Sequence, residues 1–114
     1  MEFTFNFDGN IGIYELSGSL IGENDGITLT NHMNDNLEDK IKYFVLNLST
    51  LKHINSSGLG VLLTMLTKAR KVGGELVLVR PSSFIQNLLL ITKLNTIFKT
   101  FDTVEAAIEA YQQS

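Results

Sequence analysis

Two apolar runs govern what this chain can become. Tyr43-Phe44-Val45-Leu46-Asn47-Leu48 and Leu76-Val77-Leu78-Val79 are nearly uninterrupted in hydrophobic character. A strand with one face in water alternates apolar and polar residues, whereas a strand apolar at consecutive positions needs cover on both faces. Both runs therefore read as interior strands, and the chain between them has to leave the sheet and return. From Leu59 onward, Leu62, Leu63, Leu66 and Ala69 mark one face of a helix, and Gly73-Gly74 ends it. Strand, helix and strand in that order imply a parallel pair joined by a right-handed crossover.

The flanking segments extend the pattern. Phe3-Thr4-Phe5-Asn6-Phe7 alternates with the period of a half-buried strand, and Asp8-Gly9-Asn10 carries turn chemistry. Ile11, Ile13 and Leu16 begin a second strand ending near Ser17-Gly18, so the chain opens with a hairpin. Asn24 to Lys40 is polar, with Ile27, Leu29, Met33 and Leu37 at helical spacing, although its asparagines and Gly26 are poor helix formers. Beyond Pro81, Ser82 and Ser83 can cap a short helix bearing Phe84, Ile85, Leu88 and Leu89. Phe98 to Phe101 reads as a short strand. Asp102-Thr103-Val104-Glu105 has capping-box spacing, opening a helix with Val104, Ala107, Ile108 and Tyr111 inward. The expected fold is α/β, in the order β-β-α-β-α-β-α-β-α: a mostly parallel mixed sheet of about five strands flanked by about four helices. One domain is expected over residues 1–114.

Composition narrows the function classes. Apolar residues make up 44% and charged residues 18%, as in an ordinary globular domain. The absence of cysteine removes disulfides, thiol catalysis and cysteine-ligated metals. No basic-then-apolar leader opens the chain and no apolar run approaches the roughly 20 residues of a membrane span, so a cytoplasmic protein without membrane contact is expected. A formal charge of −3 argues against nucleic acid. The cationic Lys68, Arg70 and Lys71 sit late in a helix, where they complement its dipole. His32 and His53 lie in different segments with no second ligand or carboxylate at fixed spacing, so neither suggests a metal site or a triad. Gly58-Leu59-Gly60 begins like a dinucleotide fingerprint but has Leu63 where the third glycine belongs, and no P-loop lysine follows. No catalytic residue, metal or cofactor is expected.

The remaining feature is Asn55-Ser56-Ser57-Gly58-Leu59-Gly60, a polar turn placed before the aliphatic helix. One reading is structural: serine at a first turn accepts from amides that lack partners, worth about 1 kcal/mol. The other is regulatory. A hydroxyl at a helix N-terminus sits where amides and the dipole tolerate an anion, so phosphorylation there adds charge without unfolding the domain.

Phe44-Val45-Leu46-Asn47-Leu48-Ser49 and Ile54-Asn55-Ser56-Ser57-Gly58-Leu59-Gly60-Val61-Leu62-Leu63 together resemble the signature region of STAS domains, most of all the bacterial anti-sigma factor antagonists. The resemblance extends to the opening hairpin, Gly18, Gly73-Gly74 and the terminal Thr103-Val104-Glu105-Ala106-Ala107 helix, and so covers essentially the whole chain. It implies a non-enzymatic partner-switching protein. Such a protein binds an anti-sigma factor that is also a serine kinase of the histidine-kinase-like ATPase type, and so controls transcription. The kinase phosphorylates the serine corresponding to Ser56, and a PP2C-type phosphatase reverses the mark. The implied partner surface comprises Asn55, Ser56, Ser57, Gly58, Leu59, Thr64, Met65 and Lys68. Ser57 would then be the capping and packing residue. Independently of the resemblance, Leu88, Leu89, Leu90 and Ile91 are too many consecutive apolar residues for one core-facing stripe, and they read either as a buried short helix or as partly exposed to a partner. Two positions depart from the family pattern: Asn55 and Asn47 stand where aspartate is usual. Two other readings stay open, a STAS adaptor docked without phosphorylation in a signalling or transport complex, and a small-ligand or nucleotide-binding domain.

Overall fold

Both apolar runs lie inside a five-stranded sheet in a computed structural model of the chain, which describes residues 1–21 and 23–113. The elements follow the expected order: β1 (Glu2–Asp8), β2 (Ile11–Leu20), α1 (Glu23–Glu38), β3 (Tyr43–Ile54), α2 (Ser56–Lys71), β4 (Glu75–Val79), α3 (Ser83–Ile91), β5 (Thr100–Phe101) and α4 (Val104–Gln112). A 3-10 turn at Leu94–Thr96, which the sequence did not announce, links α3 to β5. The strands lie side by side in chain order; β1 and β2 form the antiparallel hairpin, and every later pair is parallel.

The two-sided strands divide the interior. Phe44, Leu46 and Leu48 of β3, with Leu76 and Leu78 of β4, enter the larger core beneath α1, α2 and α3. The alternate residues Val45, Val77 and Val79 point to the opposite face, where they pack with Ala107, Val104, Ile108 and Tyr111 of α4. Consecutive apolar positions are thus each buried, but against different helices. Three helices cover one face and α4 covers the other.

Several expectations are corrected. β3 continues past Leu48 to Ile54, and β2 reaches Leu20. β4 stops opposite Asn47, so the last part of β3 pairs with β2 alone and carries exposed Ser49, Thr50, Lys52 and His53. Register shifts between Glu15 and Ser17 and between Gly18 and Ser19 break the strand period there. In α1, Leu29 and Met33 are buried but Ile27 is 56% exposed. Gly26, unfavourable in a helix by propensity, marks the meeting of α1 and α2: a Cβ there would lie 2.6 Å from Val61 Cγ2. In α2, Leu63 lies at the surface and Met65 takes the inward place. In α3, Ser82 caps as expected through the Ile85 amide, while Phe84, Leu90 and Ile91 stay exposed. The residue that caps α4 is Thr103, whose hydroxyl accepts from the Ala106 amide, so the capping box set on Asp102 and Glu105 does not form.

Among the described residues the two histidines lie in separate surroundings. His32 belongs to a hydrogen-bonded group beneath the hairpin. Its Nδ1 lies 2.7 Å from the buried Tyr14 hydroxyl, which also accepts from Asn36 Nδ2 at 2.9 Å. The rings of Phe3 and Phe5 pack edge-on against His32. Burial pushes the Tyr14 hydroxyl well above the usual tyrosine range, and the Asn36 bond only partly offsets it.

Candidate functional site

The polar turn sits at the carboxyl end of β3, where the chain leaves the sheet for α2. Asn55 is extended, with φ −110° and ψ −174°, and its side chain is held from both ends. Oδ1 accepts from the Gly58 amide at 2.9 Å, and Nδ2 donates to the Ile21 carbonyl at 3.1 Å. The cap of α2 is therefore Asn55 and neither serine. This corrects the expectation that Ser57 caps: the serines are the first two helical residues, one position too late to reach the amides of the first turn. The carboxamide fits this place because it supplies an acceptor for the helix and a donor for the chain entering α1.

Gly58 lets the helix start so close to β2. A Cβ at this position would lie 2.0 Å from the Leu20 carbonyl oxygen and 2.7 Å from Ile54 Cγ1. Gly60 has no such neighbour, since a Cβ there would meet nothing within 4 Å. The two glycines of one motif thus have different standing.

Ser56 and Ser57 are both exposed, with their hydroxyls outside the hydrogen bonds found among the described residues. The first turn of α2 has no acidic residue. Of the eight residues expected to meet a partner, Asn55, Ser56, Ser57 and Thr64 reach the surface and Lys68 is half-buried. Gly58, Leu59 and Met65 do not: they face the core, and Met65 is fully buried. With about 3.6 residues per turn, positions 58, 62, 65 and 69 share one stripe, so Met65 follows Leu62 inward. Thr64 turns its hydroxyl back to the Gly60 carbonyl at 2.9 Å.

Sequence reasoning missed three neighbours of the site. Ile21, whose carbonyl holds Asn55, is 54% exposed. Phe84, at the start of α3, is equally exposed, and its ring stands edge-on to His53 at 6.2 Å. Ile21 is thus tied to the Asn55 cap, and Phe84 to His53, two positions before that cap. Only one signal was available in the chain: Phe84 is a large apolar residue in the first turn after the Ser82 cap. The bond between Asn55 and Ile21 spans 34 positions and leaves no mark in either local segment.

Among the described residues no three histidine, aspartate or glutamate side chains converge to hold a metal ion, and no helix is long and apolar enough to cross a membrane.

Known proteins share this arrangement. A protein of Thermotoga neapolitana, named as a candidate anti-sigma factor antagonist, is 38% identical over 68 residues, 60% of this chain. That match spans 60% of the relative's length, and a match to a Thermotoga maritima candidate anti-sigma factor antagonist, 36% identical over 62 residues, spans 55% of that protein. The crystal structure of a candidate anti-sigma factor antagonist from Thermotoga maritima superposes with a TM-score of 0.86 at 26% identity, covering 95% of this chain and 92% of the other. The anti-sigma factor antagonist SpoIIAA in its unphosphorylated form gives a TM-score of 0.86 at 18% identity, over 99% of this chain and 98% of its own. The phosphorylated form, from Bacillus, gives 0.77 at 19% identity, over 96% and 99% of the two chains. At that identity the likeness to SpoIIAA is one of fold. The family model of the STAS domain matches residues 2–107, and the chain, with its sheet, its helices and the turn before α2, belongs to that family.

Proposed function

We propose that this protein is an anti-sigma factor antagonist, switched by phosphorylation of Ser56. The observation that carries the reading is the placement of Ser56: an exposed hydroxyl on the first turn of α2, directly after the Asn55 cap that fixes that turn. The names of the Thermotoga relatives support the partner class, an anti-sigma factor. In this reading the anti-sigma factor is a serine kinase of the histidine-kinase-like ATPase type and a PP2C-type phosphatase removes the mark.

The geometry supplies a physical mechanism. A phosphate on Ser56 adds about −1.5 to −2 charges at neutral pH. At a helix N-terminus this charge is stabilised by roughly 0.3–1 kcal/mol, so the domain stays folded. The cost falls on the complex. A partner resting on Ile21, Phe84 and Ser56 excludes water from the rim, and a dianion there loses its hydration without a counter-charge. The neutral Asn55 removes the repulsion that an aspartate would exert on that phosphate, so the phosphorylated state is easier to form than with a carboxylate beside it.

Intact-mass analysis of the protein from its own cells, with peptide mapping across residues 53 to 68, tests the reading. A species heavier by one phosphate, located on Ser56 and missing in Ser56→Ala, is expected. Protein unmodified under growth and stress alike removes the switch and moves the reading to an adaptor that docks without phosphorylation.

A further inference from the structure

A second feature of the carboxyl edge lies apart from Ser56. After β4 the chain crosses to the three-helix face as α3, and after β5 it crosses to the opposite face as α4. β4 and β5 are neighbours, so their outgoing connections diverge and open a crevice between them. In open α/β sheets, a crevice outside the carboxyl ends of strands whose connections part is the place where ligands bind. Here it is a cleft of about 430 Å³ formed by the end of β4, α3, the 3-10 turn and the end of β5, within the usual range for small-molecule sites.

The chemistry of its walls is specific. Arg80 and Asp102 are its two charged residues, one of each sign. Among the described residues neither forms an ion pair; the two pairs present are Met1 with Asp25 and Arg70 with Glu75. Asn87 and Asn95 also line the cleft, and among the described residues their carboxamides hold no hydrogen bond, whereas Gln86 is occupied by the Pro81 carbonyl at 2.9 Å. Leu89, Phe98 and Phe101 supply an apolar wall.

Arg80 has an uncommon backbone. Its φ is +49°, in the left-handed region, and it precedes Pro81, which further restricts the residue before it. Lys40 and Lys93 also have positive φ, but they follow α1 and α3, where a left-handed residue is an ordinary helix ending. Arg80 follows a strand, and its backbone N–H donates a hydrogen bond to the Phe101 carbonyl at 3.0 Å. Glycine would fill this position without strain, so the arginine side chain is the reason to look for a use.

We propose that this cleft binds a small zwitterion with an apolar remainder, of the class of an apolar α-amino acid. The carboxylate pairs with the Arg80 guanidinium, the ammonium group with Asp102, the free carboxamides of Asn87 and Asn95 orient the polar end, and the side chain lies on Leu89 and Phe98. A site with one charge of each sign favours a ligand that answers both, since a ligand with one charge leaves the other protein charge uncompensated.

The test is an NMR titration of the isotope-labelled full chain with L-phenylalanine, then with 3-phenylpropionate and 2-phenylethylamine, which each lack one of its charges. Saturable shifts are expected at Arg80, Asn87, Asn95 and Asp102 with L-phenylalanine, with both analogues weaker by roughly ten- to a hundredfold. Arg80→Gln and Asp102→Asn should weaken L-phenylalanine by a similar factor. Arg80→Gly should lose binding while unfolding at the same or a higher temperature, which separates a lost site from a lost fold. Absence of saturable shifts, equal binding of either analogue, or unchanged binding in both charge variants overturns the proposal. Binding that is the same in Ser56→Ala keeps this result independent of the phosphorylation reading.

Discussion

The glycines of the turn before α2 make opposite demands, and a pair of alanine variants separates them. At Gly58 an alanine Cβ would stand 2.0 Å from the Leu20 carbonyl oxygen and 3.0 Å from its carbon. That atom belongs to backbone at the end of β2, paired to Ile54, so it cannot swing aside as a side-chain tip would. The first turn of α2 must move outward, pulling Leu59 and Leu62 from the core. Overpacking of this kind costs about 1–3 kcal/mol net, even after the better helix propensity of alanine is counted. At Gly60 the Cβ meets nothing within 4 Å and the residue is exposed. Only the propensity term remains, a gain of about 0.5–1 kcal/mol. For 114 residues the unfolding entropy is about 0.24 kcal/mol/K, so 1 kcal/mol moves Tm by about 4 °C. Gly58→Ala should therefore unfold about 4–12 °C below the parent, and Gly60→Ala about 2–4 °C above it. Thermal unfolding followed by circular dichroism at matched concentration reads both shifts. Equal shifts for the two variants, or a stabilised Gly58→Ala, would refute the claim that α2 starts against the β2 backbone.

Two further outcomes follow from the same structure. In Asn55→Asp the cap to the Gly58 amide survives and gains from the helix dipole, but the Ile21 carbonyl loses its donor. The net stability change should stay within about 1 kcal/mol in urea titration, while amide exchange around Ile21 quickens; a loss above 3 kcal/mol would contradict this division of labour. The hydroxyls of Tyr14 and Tyr111 are both held above the ordinary value of about 10, first by burial, with Glu75 adding to the effect at Tyr111. Because the folded values exceed the unfolded ones, their contribution to stability is complete below about pH 10 and is lost as pH rises toward the folded values. Ultraviolet titration of tyrosinate should show both rings ionising only with alkaline unfolding, and early, reversible ionisation of all three tyrosines would disprove it.

Most of the architecture was legible because two independent signals agreed. Unbroken apolar runs at Tyr43–Leu48 and Leu76–Val79 required cover on both faces, and the helical stripe at Leu62, Leu66 and Ala69 supplied one of the covers. What escaped had non-local causes. The end of β3 reads as loop because it pairs with β2 alone, across register shifts that erase the period. Met65 was placed outside because its stripe was drawn through Leu63, yet the helix turns Leu63 to the surface and Met65 inward. Asn55 was weighed as a departure from a family pattern, so its local cap on the Gly58 amide was passed over, and its second bond, to the Ile21 carbonyl, had no local signal at all. A side chain that serves two segments 34 positions apart cannot be read from either one.

Departures from local rules are concentrated along one edge of the sheet, which bears on where this protein does its work. Natural sequences are locally consistent except where something other than stability is selected, so clusters of inconsistency mark sites. At the carboxyl edge, Ile21 and Phe84 are more than half exposed, and Arg80 holds a left-handed backbone before a proline. Phe7 in β1, Ile27 in α1 and Val72 after α2 are also exposed, singly on different elements, as scattered surface apolar residues commonly are. The helix between the two regions is α3: its first turn carries Phe84 toward His53, three positions before Ser56, and its later turns carry Asn87 and Leu89 into the cleft of Arg80. α3 is only nine residues long and buries just Ile85 and Leu89 fully. A ligand that fills the cleft therefore presses on the same short element that holds Phe84 against His53, at the end of the strand that leads into Ser56. The two proposed sites are joined by one lightly anchored helix, the kind of element through which occupancy at one site can bias the other.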